Sequence, residues 1–284
     1  MRLDIDGRNC ELESGRSILD AVKKEGLDSI MLSDRPLAAQ IGGEVFNLRF
    51  TPKKDTQIHL LRYGEDMGRR VYERTLQFLF ILAMRKEFPR ARVCVRYSLG
   101  PGLFITVDGM EEPFNEEAAL KVETEMRRLV RLKLPLERRR ISIKEALSFY
   151  EQDGQADKAK LLKWRRFSYF DVYQIDGYMD YFYGEMAPDT SYADVFRVKY
   201  VHDGAVVLLM PRSDAPDVPS DYVDLPKLHA VFHQSDEWGK LMECATVNDL
   251  NTHIQNGTIR ELVRINEALH DRGYADIADK IVQK

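Results

Sequence analysis

Five short alternating segments and one helical segment fill about sixty residues at the start of this chain. Leu3 and Ile5 alternate with polar residues, Gly7 and Arg8 turn the chain, and Cys10 and Leu12 alternate again, which predicts a hairpin. Ser14 or Ser17 can cap a helix that carries Ile18, Ala21 and Val22 on its apolar side, with Gly26 to end it. The runs on either side of Gly42 and Gly43 predict a second hairpin, and residues 56–61 predict a fifth strand. The order strand-strand-helix-strand-strand-strand describes a small sheet with one helix.

A long helix is predicted from about Gly68 to Phe88, stopped by Pro89, with Val71, Leu76, Leu79, Phe80, Ala83 and Met84 crowding one side. Residues 91–97 and 103–107 alternate around the turn Leu99 to Gly102. Asn115 can cap a further helix, with Glu116 and Glu117 in its first turn and Arg127, Arg128 and Arg131 near its end, both suited to the helix dipole. Pro135 should terminate it. Strands are expected at 139–143, 168–175, 195–201 and 205–210, with helical patterns at about 143–163. Residues 211–226 hold Pro211, Pro216, Pro219 and Pro226 among Ser and Asp, and read as a linker. Beyond them the pattern is helical, with a capping box from Thr258 to Glu261 and an apolar face at Leu262, Ile265, Leu269, Ile277 and Ile281. The last helix shows no closing cap, which leads us to expect further chain beyond it.

A length of 284 residues suits two domains at roughly 100–200 residues each. With 44% hydrophobic and 31% charged residues the chain can bury a core. Its net charge of −4 excludes a uniformly basic nucleic-acid coat and leaves room for a local patch. The longest apolar run, Phe78 to Met84, is far below the ~20 residues a membrane helix needs, so no membrane partner is expected. The opening residues lack the apolar core of a signal peptide, and Cys10, Cys94 and Cys244 are odd in number and far apart, which fits a reducing cytoplasm.

Two stretches carry a family signal. Residues 5–26 with 40–61 resemble the ubiquitin-like TGS domain at the N-terminus of threonyl-tRNA synthetase. The stretch from Val71 to Val93, then Gly100 to Gly109, then Tyr178 to Val198, is similar to the editing domain that follows TGS in the synthetase. The resemblance covers about residues 1–210. It implies an α+β chain: a β-grasp domain at 1–62, an editing-like α/β sandwich at 63–211, and a linker with a helical connector at 212–284. In the synthetase a helical His-x3-His and a later Cys-x3-His line the cleft. Aligned on Pro89 and Gly184, these fall on Arg74, Phe78, Phe182 and Met186. Phenylalanine cannot ligate a metal, methionine is too soft for zinc, and arginine repels a cation, so no metal is expected. Lys158 and Asp180 match polar positions of that cleft. With Tyr183 they complete a candidate pocket whose Arg74 fork suits an anionic small molecule, such as a nucleotide or an amino acid carboxylate. The alternative is an Arg74–Asp180 ion pair that fills the space.

The same two modules resemble the region ahead of the P-loop domain in a uridine kinase-like family (phosphoribulokinase/uridine kinase family). Residues 262–284 are similar to the helix leading into that family's phosphate loop. This implies a C-terminal kinase domain as partner, with ATP and magnesium bound there and no cofactor in the present residues. No Gly-x4-Gly-Lys-Ser/Thr sequence occurs among them.

Three other patterns bear on function. His229 and His233, four apart, with Cys244 and His253, fit one face of a metal site, but no CxxC or HExxH accompanies them and a structural role is the ordinary reading. Arg127, Arg128, Arg131, Lys133, Arg138, Arg139 and Arg140 form a basic run that could bind RNA phosphates. Lys163, Arg165 and Arg166 flank Trp164 and Phe167 in a second cluster that could add stacking. The rival reading is a helix end complementing its dipole. Tyrosines from Tyr169 to Tyr200 suit either an aromatic pocket or half-buried strands. The leading expectation is therefore a non-catalytic ligand-binding or regulatory region of a kinase-like protein. The alternatives are a tRNA- or RNA-binding module and an aminoacyl-ester hydrolase.

Overall fold

The first hairpin pairs β1 (Arg2–Ile5) with β2 (Arg8–Glu11), antiparallel, through Asp6 and Gly7. Helix α1 (Ile18–Lys24) starts at Ser17, whose hydroxyl accepts the Asp20 N–H at 3.2 Å while the Asp20 carboxylate accepts the Ser17 N–H at 2.9 Å. The second hairpin is β3 (Ala38–Ile41) and β4 (Glu44–Phe46). Strand β5 (Thr56–Leu61) runs parallel to β1 and antiparallel to β3, giving the order β2-β1-β5-β3-β4. Leu3, Ile5, Ile58 and Leu60 on the sheet and Ile18 and Val22 on α1 are all buried. Burial of these side chains is the driving force for the β-grasp, at about 1.5–3 kcal/mol each. The computed structural model describes residues Met1–Gln283.

Helix α2 (Asp66–Glu87) follows, and ends where Pro89 forbids another turn. β6 (Arg92–Leu99) and β7 (Gly102–Asp108) form the expected hairpin, and Asn115 caps α3 (Glu116–Leu132) by accepting the Ala118 N–H at 2.9 Å. Lys133 closes α3 in the left-handed conformation, two residues before Pro135. β8 (Glu137–Ser142), α4 (Ile143–Gln152), α5 (Ala156–Leu162) and β9 (Tyr169–Ile175) come next. The helical patterns expected at 143–163 form two helices, parted at Gly154. Strand β10 (Tyr178–Asp180) precedes a short 3-10 turn at Thr190–Tyr192, then β11 (Arg197–His202) and β12 (Ala205–Leu209). An antiparallel sheet ordered β11-β12-β7-β6 carries Leu103, Ile105, Val206 and Leu208 in the same core as α2 and α3. A smaller sheet is ordered β10-β9-β8.

The proline-rich stretch departs from its reading as a linker. β13 (Pro211–Arg212) and β14 (Ala215–Pro219) pair as a hairpin. The Tyr63 hydroxyl donates to the Pro211 carbonyl at 2.7 Å, and the Ser33 N–H donates to Asp217 at 2.9 Å. Residues 220–225 then carry no regular structure. α6 (Pro226–Leu241), α7 (Val247–Asn256) and α8 (Ile259–Val282) complete the described chain. Thr258 does not cap α8 through its side chain. Its hydroxyl meets His253 Nδ1 at 2.8 Å, and the capping box lies instead at Thr246 and Asp249 of α7.

The chain divides into two compact units. Met1–Arg139 with Asp171–Leu225 form the first, so residues 1–62 share one unit with most of 63–211. Arg140–Phe170 with Pro226–Lys284 form the second. Within the second unit Ala146, Tyr150, Ala159, Leu162 and Phe170 are buried, and the Trp164 indole N–H donates to Asn248 at 3.0 Å. No helix among the described residues is long and apolar enough to cross a membrane.

One charge cluster in the first unit makes its stability pH-dependent. His59 on β5 sits between Asp6 at 2.9 Å and Glu65 at 2.7 Å, and Arg62 also reaches Asp6 at 3.2 Å. The hydrogen bonds to Glu65 and Asp6 raise the His59 pKa above its ordinary 6.5. Burial would raise Asp6, but the bonds from His59, the Leu60 N–H and Arg62 outweigh it and leave Asp6 lowered. A raised histidine contributes stability that is complete below its unfolded pKa and is lost as pH rises through the folded value. The melting-temperature gap between the parent and His59→Gln should therefore narrow as pH climbs past about 6.5. A gap that widens with pH would contradict this cluster.

Candidate functional site

The positions that resemblance aligns with metal ligands converge on α2 and the segment after β10. Thr75 on α2 is buried; its hydroxyl donates to the Val71 carbonyl at 2.8 Å and accepts the Ala187 N–H at 2.9 Å. The Tyr173 hydroxyl accepts the Met186 N–H at 3.2 Å and donates to the Glu185 carboxylate at 2.8 Å. Burial beside that carboxylate holds the Tyr173 phenol well above its ordinary pKa, so it stays a donor. Asn47 of the β-grasp donates to the Met186 carbonyl at 2.8 Å. Residues 185–187 are thereby fastened from three sides, and Met186 is fully buried. Phe78 is fully buried too, with its ring 5.3 Å from Phe182 and 5.8 Å from Tyr178. Aromatic and thioether groups fill the space instead of lining an open cleft.

Arg74 lies one turn before Phe78, as expected. Its Nε donates to the Glu185 carbonyl at 2.9 Å, and its guanidinium lies against Gly184. Gly184 has a φ of +111°, a conformation that side-chain-bearing residues rarely adopt, and this favours glycine beside the guanidinium. Partial burial lowers the Arg74 pKa, with Tyr173, Glu73 and Glu185 acting in the other direction. The Arg74–Asp180 ion pair is not formed. Asp180 is buried and accepts the Tyr181 N–H at 2.8 Å, with the Tyr178 hydroxyl at 3.4 Å. Tyr183 is 72% exposed, edge-on to Tyr181. Lys158 lies on α5, in the second unit, 5.7 Å over the Tyr150 ring. The tyrosines do not share one pocket: Tyr173 and Tyr192 are buried while Tyr183 faces solvent. His253 is engaged with Thr258, and no group of three or more His, Cys, Asp or Glu poised for a metal occurs among the described residues.

The basic run divides by environment. Arg127 pairs with Glu123 at 2.7 Å and lies 4.7 Å over Phe196. Arg128 forks onto the buried Glu125 at 2.6 and 2.7 Å. Arg138 joins Asp171 at 2.9 Å and also Glu185, Arg139 donates to Gln174 at 2.7 Å, and Arg140 lies 4.3 Å over Tyr169. Arg131 and Lys133, at the end of α3, are exposed and form no ion pair among the described residues. Of the fastening residues, only Tyr173 stands out in the sequence, among the tyrosines; Asn47, Thr75 and Glu185 do not. Their only signal is that polar residues stand among apolar ones.

No protein-family model matches the chain. It is similar to the threonine–tRNA ligase of Clostridium kluyveri, 25% identical over 194 residues, which is 68% of this chain and 30% of the ligase. It is 27% identical over 175 residues to the threonine–tRNA ligase of Carboxydothermus hydrogenoformans, covering 59% of this chain and 26% of that protein. With the ligase of Acetivibrio thermocellus the identity is 28% over 160 residues, 56% of this chain and 24% of the relative. The chain thus spans less than a third of the length of these relatives. The similarities lend no support to a uridine kinase-like parent.

Proposed function

We propose that this chain is a tRNA-binding module that does not hydrolyse aminoacyl esters. Similarity to threonine–tRNA ligases supports the tRNA partner. The observation that carries the absence of hydrolysis is the full burial of Phe78 and Met186, at two of the four positions aligned with metal-type side chains. Ester hydrolysis needs a base or an activated water beside the carbonyl. Phenylalanine, methionine and a permanently charged arginine supply neither. The regulatory role ahead of a kinase domain, though compatible with such a module, rests on the sequence resemblance alone.

The RNA contact is assigned to the end of α3. Cations already neutralised by Glu123 and Glu125 have little to offer a phosphate, whereas Arg131 and Lys133 are uncommitted. Joint replacement by Arg131→Glu and Lys133→Glu should weaken tRNA binding at least about tenfold and flatten its log–log salt dependence by about 2. Arg127→Gln should change tRNA affinity much less. Fluorescence anisotropy over a salt series checks both. A double variant that binds with the parent's affinity and salt slope would sink this surface.

A further inference from the structure

A concavity of about 340 Å³ opens in the first unit one helical turn before Arg74. Its walls are the start of α2, with Arg70 and Glu73, and the β6–β7 turn, with Gly100 and Pro101. Tyr63 and Pro211 also line it. The walls are held in place from behind. A Cβ on Gly102 would sit 2.6 Å from Val207 and 2.9 Å from the Leu208 carbonyl, so only glycine lets the turn seat this closely on β12. The Met210 N–H donates to the Pro101 carbonyl at 3.1 Å, and Tyr63 holds Pro211. The cavity is preformed and falls in the size range of small-ligand sites, about 300–1,000 Å³.

Two of its side chains, Arg70 and Glu73, form no ion pair among the described residues and keep hydrogen-bonding capacity to spare. Arg70 is exposed and forms no ion pair among the described residues, while its neighbour Arg69 is committed to Asp66 and to the Gly64 carbonyl at 3.0 Å. Glu73 is half-buried and accepts one side-chain hydrogen bond, from Gln77 at 3.1 Å, with no ion pair among the described residues. Burial raises its pKa, and Arg74 and Arg70 hold it down in part. Spaced by three residues, Arg70 and Glu73 project from the same side of α2. An anion satisfies the guanidinium fork, and hydroxyl donors satisfy the spare lone pairs of the carboxylate. A phosphate joined to vicinal hydroxyls offers both.

We propose that this pocket binds a phosphorylated ribose, with the phosphate on Arg70 and the ribose hydroxyls on Glu73. The site is independent of the tRNA reading, and its failure would leave that reading untouched. Calorimetric titration of the whole chain with ribose 5-phosphate, 2-deoxyribose 5-phosphate, AMP, UMP, inorganic phosphate and serine is the test. The expected result is binding of ribose 5-phosphate, weaker binding of the deoxy sugar, and a loss of about tenfold or more in both Arg70→Gln and Glu73→Gln. Tighter binding of AMP or UMP than of ribose 5-phosphate would assign the natural ligand to nucleotides, and equal binding would assign it to sugar phosphates; each supports the site. Circular dichroism of the two variants verifies that these exposed and half-exposed positions leave the fold intact. No binding of any ribose phosphate, binding of serine alone, or affinity unchanged in both variants would overturn the proposal.

Discussion

Arg35→Met should lower the unfolding free energy by about 3 kcal/mol. Arg35 is 6% exposed and forks onto Asp194 at 2.9 and 3.0 Å. It also donates to the carbonyls of Ser29 at 3.1 Å, Ile30, and Tyr192 at 3.3 Å. One side chain thus ties the loop after α1 to the 3-10 turn before β11. Methionine keeps the volume and removes every donor, leaving a carboxylate and several carbonyls to find water. The cost falls at the lower end of the range for breaking a buried pair, because Asp194 retains 32% of its side-chain exposure. Urea unfolding measures it as a fall in midpoint at constant slope. A midpoint shift worth less than about 0.5 kcal/mol would show that the tie contributes little, as exposed pairs do.

Phe78→Ala should cost about 3–5 kcal/mol, the usual range for removing a buried aromatic ring. Its ring is fully enclosed among Phe182, Tyr178 and the α2 core. The size of the loss bears on function. A phenylalanine lining an open binding cleft leaves water on one side, so truncation there is cheap and merely widens the cleft. A phenylalanine that fills a former cleft leaves a cavity behind. The more conservative Phe78→Leu should cost clearly less, since it retains much of the volume. A loss below about 1 kcal/mol for the alanine variant would mean the cleft is open after all.

The elements were legible wherever a local signal settles local structure. Both early hairpins, the Pro89 stop and the Asn115 cap follow from residues within a few positions of the feature they control. The β13–β14 hairpin was not legible. Its prolines resemble a linker because proline removes ladder donors. The hairpin persists because Tyr63 and Ser33, from distant parts of the chain, hold its backbone and Asp217. The partners of the basic run were illegible for the same reason. Arg138 looks like a free cation until Asp171 and Glu185, 33 and 47 residues away, fold against it. At the aligned positions, the resemblance implied side chains that do not suit a metal. It could not show that Arg74 would turn to the Glu185 carbonyl and not to Asp180, because backbone acceptors leave no trace in composition.

The measurement that bears most directly on a binding module without hydrolysis follows one radiolabelled aminoacyl-tRNA in a single incubation with the purified chain. Filter retention reports the complex, and acid-precipitable label reports the ester. The result expected is salt-sensitive retention of the tRNA with ester decay equal to that in buffer. Ester loss that scales with protein concentration, or no retention of tRNA at low salt, would contradict the account.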